Sequence, residues 1–177
     1  MQNSNNQNNQ PPIVTPTSAP ESLSPTSSAS VSASAVTTTE TQALIKTSKG
    51  DINLSLYPDA APKTVANFIN KANSGDYKNL TFHRVEDWVI QGGDPLGNGT
   101  GGGEIATEIS NKPFVIGSLG VARGQDIKIS NDSQFFITKT EASWLNGQYT
   151  NFGLVISGME VVNQIQVGDK ILDIIIK

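Results

Sequence analysis

The chain contains no cysteine. That excludes a disulfide framework and a thiolate metal site, and it leaves the redox compartment open, since a cysteine-free chain suits either. There is one histidine, His83, without clustered carboxylates to accompany it. A metal centre would need partners at ligand spacing, so none is expected. The same imidazole would have to serve as the base of any Ser-His-Asp triad, and no Gly-x-Ser-x-Gly elbow is present to supply the nucleophile. Basic clusters are also missing. With 12 basic against 16 acidic residues the net charge is -4, which argues against a nucleic-acid partner. No apolar run approaches the roughly 18 residues needed to cross a bilayer. No basic patch followed by an apolar core marks a secretory signal at the N-terminus. The glycine-rich stretch from Gly97 to Gly103 lacks the Gly-Lys-Ser/Thr ending of a phosphate-binding loop, so it reads as turns.

What is present divides into two materials. Residues 1–41 begin with an Asn/Gln run, continue with Pro11, Pro12, Pro16, Pro20 and Pro25 among Ser, Thr and Ala, and carry only Glu21 and Glu40 as charges. Such a segment cannot bury enough apolar surface to offset its ordering entropy, and it reads as a disordered tail or linker. As a passive spacer it is compatible with a cytoplasmic protein. As a stalk following a removed signal or anchor it would place the protein outside the cytoplasm. Residues 42–177 carry the periodic patterns of one folded domain.

Within that domain, Ala43-Leu44-Ile45 and Ile52 to Leu56 flank Ser48-Lys49-Gly50-Asp51 as a hairpin. Val65, Phe68, Ile69 and Ala72 fall at helical spacing after Pro62, and Gly75 stands where helices stop. Strands are predicted over 80–85, 88–92, 115–122, 134–138, 152–156 and 171–176, with a short one near Ile105. A second helix with Val161, Val162 and Ile165 as its apolar face precedes the last strand, and 125–132 reads as a loop. Short connections between about eight strands favour a mainly β fold, a closed eight-stranded antiparallel barrel, over a parallel sheet. Side chains fill a barrel of that size, so a substrate should bind on its outside or rim.

Three segments carry chemistry. The first is Phe82-His83-Arg84-Val85, a turn at Glu86-Asp87, then Trp88-Val89-Ile90-Gln91-Gly92-Gly93-Asp94. The second is Ser133-Gln134-Phe135-Phe136-Ile137-Thr138. The third is Trp144-Leu145-Asn146-Gly147 leading to Phe152-Gly153. In this order they resemble the signature of the cyclophilin-type peptidyl-prolyl cis-trans isomerases, and the resemblance runs over residues 42–177. It implies a barrel capped by two α-helices. It also implies isomerisation of X-Pro bonds without cofactor or metal, and, as partners, proline-containing peptides and partly folded proteins. Arg84 matches the catalytic arginine of that family and Gln91 the glutamine that orients it. Trp88, Val89, Phe136, Leu145 and Tyr149 match the proline pocket. Phe82 and His83 belong to the signature strand and are expected among the substrate-binding residues. Ala122, Arg123, Gln134 and Trp144 match the wall and adjoining groove, beside the loop at Asn98, Gly99 and Thr100. Trp144 also matches a position that favours cyclosporin A binding. The departures are a shorter turn before Trp88, Trp where Phe is common, Val89 for Met, Tyr149 for His, and Arg123 for Asn. The loops at 124–132 and 141–143 are longer than is common.

The residues themselves suit that reaction. On a strand an arginine is ordinarily solvated or ion-paired. However, most of the chain's aromatics lie in these same segments, and a guanidinium beside an apolar pocket is an unusually strong donor. Alternation puts Phe135 and Phe136 on opposite faces, so only Phe136 is expected to line a site. The alternative is a proline-peptide binding module or chaperone with vestigial catalysis, for which the same groove would serve. A monomer is expected by default.

Overall fold

The computed structural model describes residues 41–177. The tail expected over 1–41 falls on residues outside that range, save Thr41. In chain order the elements are β1 (Gln42–Thr47), β2 (Gly50–Leu56), α1 (Pro62–Ser74), β3 (Phe82–Val85), β4 (Val89–Gly92), β5 (Glu104–Ala106), β6 (Ser118–Val121), β7 (Ile129–Asn131), β8 (Phe135–Thr138), a 3-10 turn (Ser143–Leu145), β9 (Asn151–Ser157), α2 (Met159–Gln164) and β10 (Ile171–Ile176).

The β1–β2 hairpin follows from alternation. Ala43, Ile45, Ile52, Leu54 and Leu56 are buried, while their neighbours along each strand are half-buried or exposed. The Thr47 hydroxyl holds the two-residue turn, donating to the Gly50 carbonyl at 2.7 Å and accepting from the Lys49 amide at 3.0 Å. Helix α1 starts at Pro62, whose missing N–H is no loss in a first turn. It stops at Gly75, left-handed at φ 78°, a conformation that costs glycine no Cβ clash. Its N-terminus is capped from far along the chain, where the Glu108 carboxylate accepts from the Lys63 and Thr64 amides at 3.1 and 2.8 Å.

Eight strands form one antiparallel sheet in the order β10-β1-β2-β9-β6-β8-β4-β3, and β5 pairs with β7 in a separate ribbon. The expected closed barrel is instead a half-barrel. Among the described residues its two edges are joined by a seam, the bridge Thr81↔Lys170 with backbone bonds between Phe82 and both Gly168 and Asp169 and between Ile171 and both Asn79 and Leu80. The reason lies in register. Continuing the antiparallel pairing from that bridge sets β3 against the turn before β10, and β10 against the turn after α1, so no strand-to-strand ladder can form. Strand β7 lies in the stretch read as a loop.

The interior is filled by side chains. Phe68 of α1 packs at 5.3 Å from Tyr77 and Phe152 and at 5.8 Å from Phe135. A second, smaller apolar cluster lies apart from that core: Val89, Phe114, Phe136, Ala142 and Leu145, with Trp88 and Tyr149 packed against it. Neighbouring residues of β8 therefore serve different clusters, Phe135 the main core and Phe136 the second one. The alternation of a strand demands this.

Candidate active site

Cross-strand register assembles the site. Arg84 of β3 lies opposite Gln91 of β4, Gln91 opposite Phe136 of β8, and Phe136 opposite Gly120 of β6. Directly opposed residues share a face, so four adjacent strands present one row: a cation, an amide, an aromatic ring and a bare backbone. The Phe136 ring occupies the space a Cβ on Gly120 would need. It is boxed by Phe114, stacked at 5.8 Å, and by Tyr149, edge-on at 5.9 Å. Above this row lies a groove of about 470 Å³ lined by Arg84, Trp88, Gln91, Ala122, Arg123, Phe136, Trp144, Leu145, Gln148 and Tyr149. A smaller cavity of about 170 Å³ continues from it past Gln91, Ala122 and Arg123 to Gly99 and Gln134.

A chain of hydrogen bonds orients the polar groups. Arg84 Nη1 donates to Gln91 Oε1 at 3.1 Å, and Gln91 Nε2 donates to Gln134 Oε1 at 2.9 Å. Gln134 Nε2 in turn donates to the Gly101 carbonyl at 2.8 Å and the Gly99 carbonyl at 3.1 Å. Each amide has one orientation compatible with both of its neighbours. On the far wall the Arg123 guanidinium lies 4.3 Å from the Tyr149 ring centroid, and its Nε donates to the Gln148 carbonyl at 2.9 Å.

The loop that receives Gln134 is held by Asp94, a carboxylate with 1% of its surface exposed. It accepts from the backbone amides of Leu96, Asn98 and Gly99. Burial pushes the Asp94 carboxyl up, but the three amides, with a smaller contribution from nearby His83, hold it below its ordinary 3.8. A depressed folded value means that this stabilisation is complete above the ordinary value and fades as pH falls through the folded one. Asp94→Asn is expected to cost about 1.5–3 kcal/mol at neutral pH and to flatten the acid limb of the stability curve. Denaturant unfolding at several pH values measures both.

Nine of the residues singled out from sequence line the main groove: Arg84, Gln91, Trp88, Ala122, Arg123, Phe136, Trp144, Leu145 and Tyr149. Gln134 lines the adjoining cavity, as does Gly99. Three do not reach the groove. Phe82 is fully buried in the main core: regular alternation would set it on the same face as Arg84, but a bulge between the two pairs Phe82 with Gly92 and Arg84 with Gln91 and so turns them to opposite faces, and the reading of it as a substrate contact does not hold. Val89 is fully buried in the second cluster and supports the groove from below. His83 stands beside Gly99, with a ring carbon 3.9 Å from where a Cβ would be. Burial holds its imidazole below the ordinary value, opposed by Asp94 and reinforced by Arg84. His83 belongs to the loop support and lines neither cavity.

Three residues were missed. Gln148 lines the groove and Phe114 backs it. Glu86 looked like a turn residue but bonds two groove residues, accepting from Arg84 Nε on Oε1 and from Trp88 Nε1 on Oε2, each at 2.8 Å. Its position two residues from each partner was the available signal.

The fold agrees with that of known proteins. Residues 42–175 match the family model described as cyclophilin type peptidyl-prolyl cis-trans isomerase/CLD. The chain belongs to the cyclophilin-type peptidyl-prolyl cis-trans isomerase family. It is 41% identical over 138 residues to peptidyl-prolyl cis-trans isomerase 9 of Schizosaccharomyces pombe, a match covering 72% of this chain but only 22% of that protein. It thus spans about a fifth of the length of that curated relative. With peptidyl-prolyl cis-trans isomerase cypE of Dictyostelium discoideum it shares 43% identity over 132 residues, covering 71% of this chain and 85% of that one. Among solved structures, a cyclophilin type isomerase of Cryptosporidium parvum, crystallised in the presence of the dipeptide Ala-Pro, superposes with a TM-score of 0.72 at 34% identity, covering 77% of this chain and 98% of that chain.

Proposed function

We propose that the domain catalyses cis-trans isomerisation of X-Pro peptide bonds in peptides and partly folded proteins. The observation that carries this reading is Arg84. Its Nε and Nη1 are engaged by Glu86 and Gln91, while Nη2 has no hydrogen-bond partner among the described residues and the side chain lines the same groove as Phe136, Leu145 and Tyr149.

Rotation about a peptide bond faces a barrier of about 18–20 kcal/mol because resonance must be broken. A prolyl nitrogen carries no hydrogen, and as the bond twists it becomes pyramidal and its lone pair, no longer shared with the carbonyl, is localised on it. A fixed N–H donor aimed at that lone pair binds the twisted state better than either planar one, which is catalysis by differential binding with no covalent step. Phe136, Leu145 and Tyr149 offer apolar surface for the ring, and Gln91 offers an amide for the flanking backbone. Unassisted, the step takes tens to hundreds of seconds, slow enough to limit folding. The Ala-Pro dipeptide used with the Cryptosporidium parvum relative supports a short proline-containing ligand.

The test is the exchange rate of an Ala-Pro peptide followed by magnetisation transfer, with and without the protein. Strong acceleration is expected. Peptide binding without acceleration would instead favour a proline-peptide binding module or chaperone with vestigial catalysis. The half-exposed Trp144, packed edge-on at 5.6 Å from Trp88 on the groove wall, supports sensitivity to cyclosporin A. Turnover should fall on adding the drug, and undiminished turnover at excess would sink this expectation. A monomer as the working unit is part of the same proposal.

A further inference from the structure

We propose that Glu86 is a positioning residue of the site: its carboxylate clamps the Arg84 guanidinium and the Trp88 indole into one arrangement, so that turnover depends on Glu86 through Arg84. This rests on the isomerase reading above.

The clamp is a closed triangle. One carboxylate oxygen takes the Arg84 Nε–H and the other the Trp88 Nε1–H. The third side is the guanidinium lying 5.5 Å from the indole centroid. Glu86 itself is fixed by its backbone, its amide donating to the Val89 carbonyl at 2.8 Å and its carbonyl accepting from Lys139 Nζ at 3.1 Å. The short turn makes this possible. Arg84 and Trp88 lie two residues to either side of Glu86, and the turn between the two strands brings both within reach of one side chain.

Two effects of the carboxylate compete. It partly neutralises the cation, which would weaken the donor, and it fixes the donor in place. The pair is largely open to water, with side-chain exposures of 41% and 45%, so solvent screens the neutralisation. Arginine, in contrast, has a long stem with many rotamers, and a misplacement of about 1 Å at a reacting centre can cost about a hundredfold in rate. Placement therefore outweighs neutralisation. The same exposure means that the pair adds little to the stability of the fold, so a Glu86 variant should fold normally.

The experiment measures Ala-Pro exchange for the wild type, Glu86→Ala, Glu86→Gln, Arg84→Ala and the Arg84→Ala/Glu86→Ala double variant, alongside the Arg84 Nε–H proton resonance. Glu86→Ala should lower kcat by about tenfold with little change in KM, and shift and broaden the Nε–H resonance. Glu86→Gln should recover part of the rate, because its single oxygen can serve only one of the two donors. In the Arg84→Ala background, removing Glu86 should change nothing further. An unchanged or higher rate in Glu86→Ala would overturn the proposal, as would an equal loss in both backgrounds. A wild type that does not accelerate exchange would overturn the isomerase reading and this inference with it. An accelerating wild type whose rate survives Glu86→Ala would overturn this inference alone.

Discussion

Replacing Arg84 with alanine should lower kcat/KM for Ala-Pro exchange by about a hundred- to a thousandfold and leave the protein folded. The size follows from comparable preorganised donors, whose removal costs about 2.7–4 kcal/mol of transition-state stabilisation. Stability should change much less, because the ion pair that Arg84 makes with Glu86 is exposed on both sides and such pairs contribute about 0–1 kcal/mol. Arg84→Lys sharpens the test. A lysine keeps the charge but offers one compact ammonium, which cannot bond Glu86 and Gln91 while also presenting a donor to the groove. It should therefore behave more like alanine than like arginine. Acceleration that survives Arg84→Ala would keep the isomerase and reject the donor mechanism. Magnetisation transfer on the peptide and thermal unfolding of each variant separate the two quantities.

Gly120→Ala should damage both the fold and the groove although it adds only one methyl. A Cβ at Gly120 would overlap the Phe136 ring, and that ring is held between Phe114 and Tyr149. The ring cannot retreat except into the space a proline would occupy. Overpacking of this kind costs about 1–3 kcal/mol, and a displaced ring should reduce kcat/KM by at least about tenfold, mostly through KM. Gly124→Ala is the control, since a Cβ there meets nothing within 4 Å. It should leave stability within about 0.5 kcal/mol of the wild type. Equal behaviour of the two variants in denaturant unfolding and peptide exchange would refute the packing argument.

The features legible in the sequence were those that depend on near neighbours. The apolar run of β10, the Pro62 and Gly75 boundaries of α1 and the division of Phe135 from Phe136 all follow from local periodicity. The resemblance then directed attention to Arg84, Gln91 and the aromatic segments, most of which meet at the groove. The unreadable features depend on distant partners. Strand β7 lies in a polar stretch and exists because residues 129–131 pair with 104–106. Glu108 caps a helix some forty residues earlier, which no local pattern announces. Phe82 and His83 sit in the signature without lining the groove, because a bulge between Phe82 and Arg84 interrupts the alternation of β3, and a motif does not announce a bulge. The bonds of Glu86 were missed because a carboxylate in a turn is usually just solvated.

The seam between the sheet's two edges bears on how the protein opens. Strand β3, which carries Arg84, is laddered on one side only, to β4, and on its other side meets just the bridge at Thr81 and Lys170 and the few backbone bonds around it. Strand β8, which carries Phe136, is laddered on both sides. Regions held by fewer backbone bonds exchange their amide hydrogens through local openings, whereas doubly paired strands wait for global unfolding. In deuterated buffer, the amides of Phe82 and Ile171 should therefore exchange well before those of Phe136 and Ile137. The two halves of one row of the groove would then belong to different cooperative units: a groove floor that is as durable as the whole molecule, and an arginine on a strand that can peel away and re-anneal while the rest stays folded.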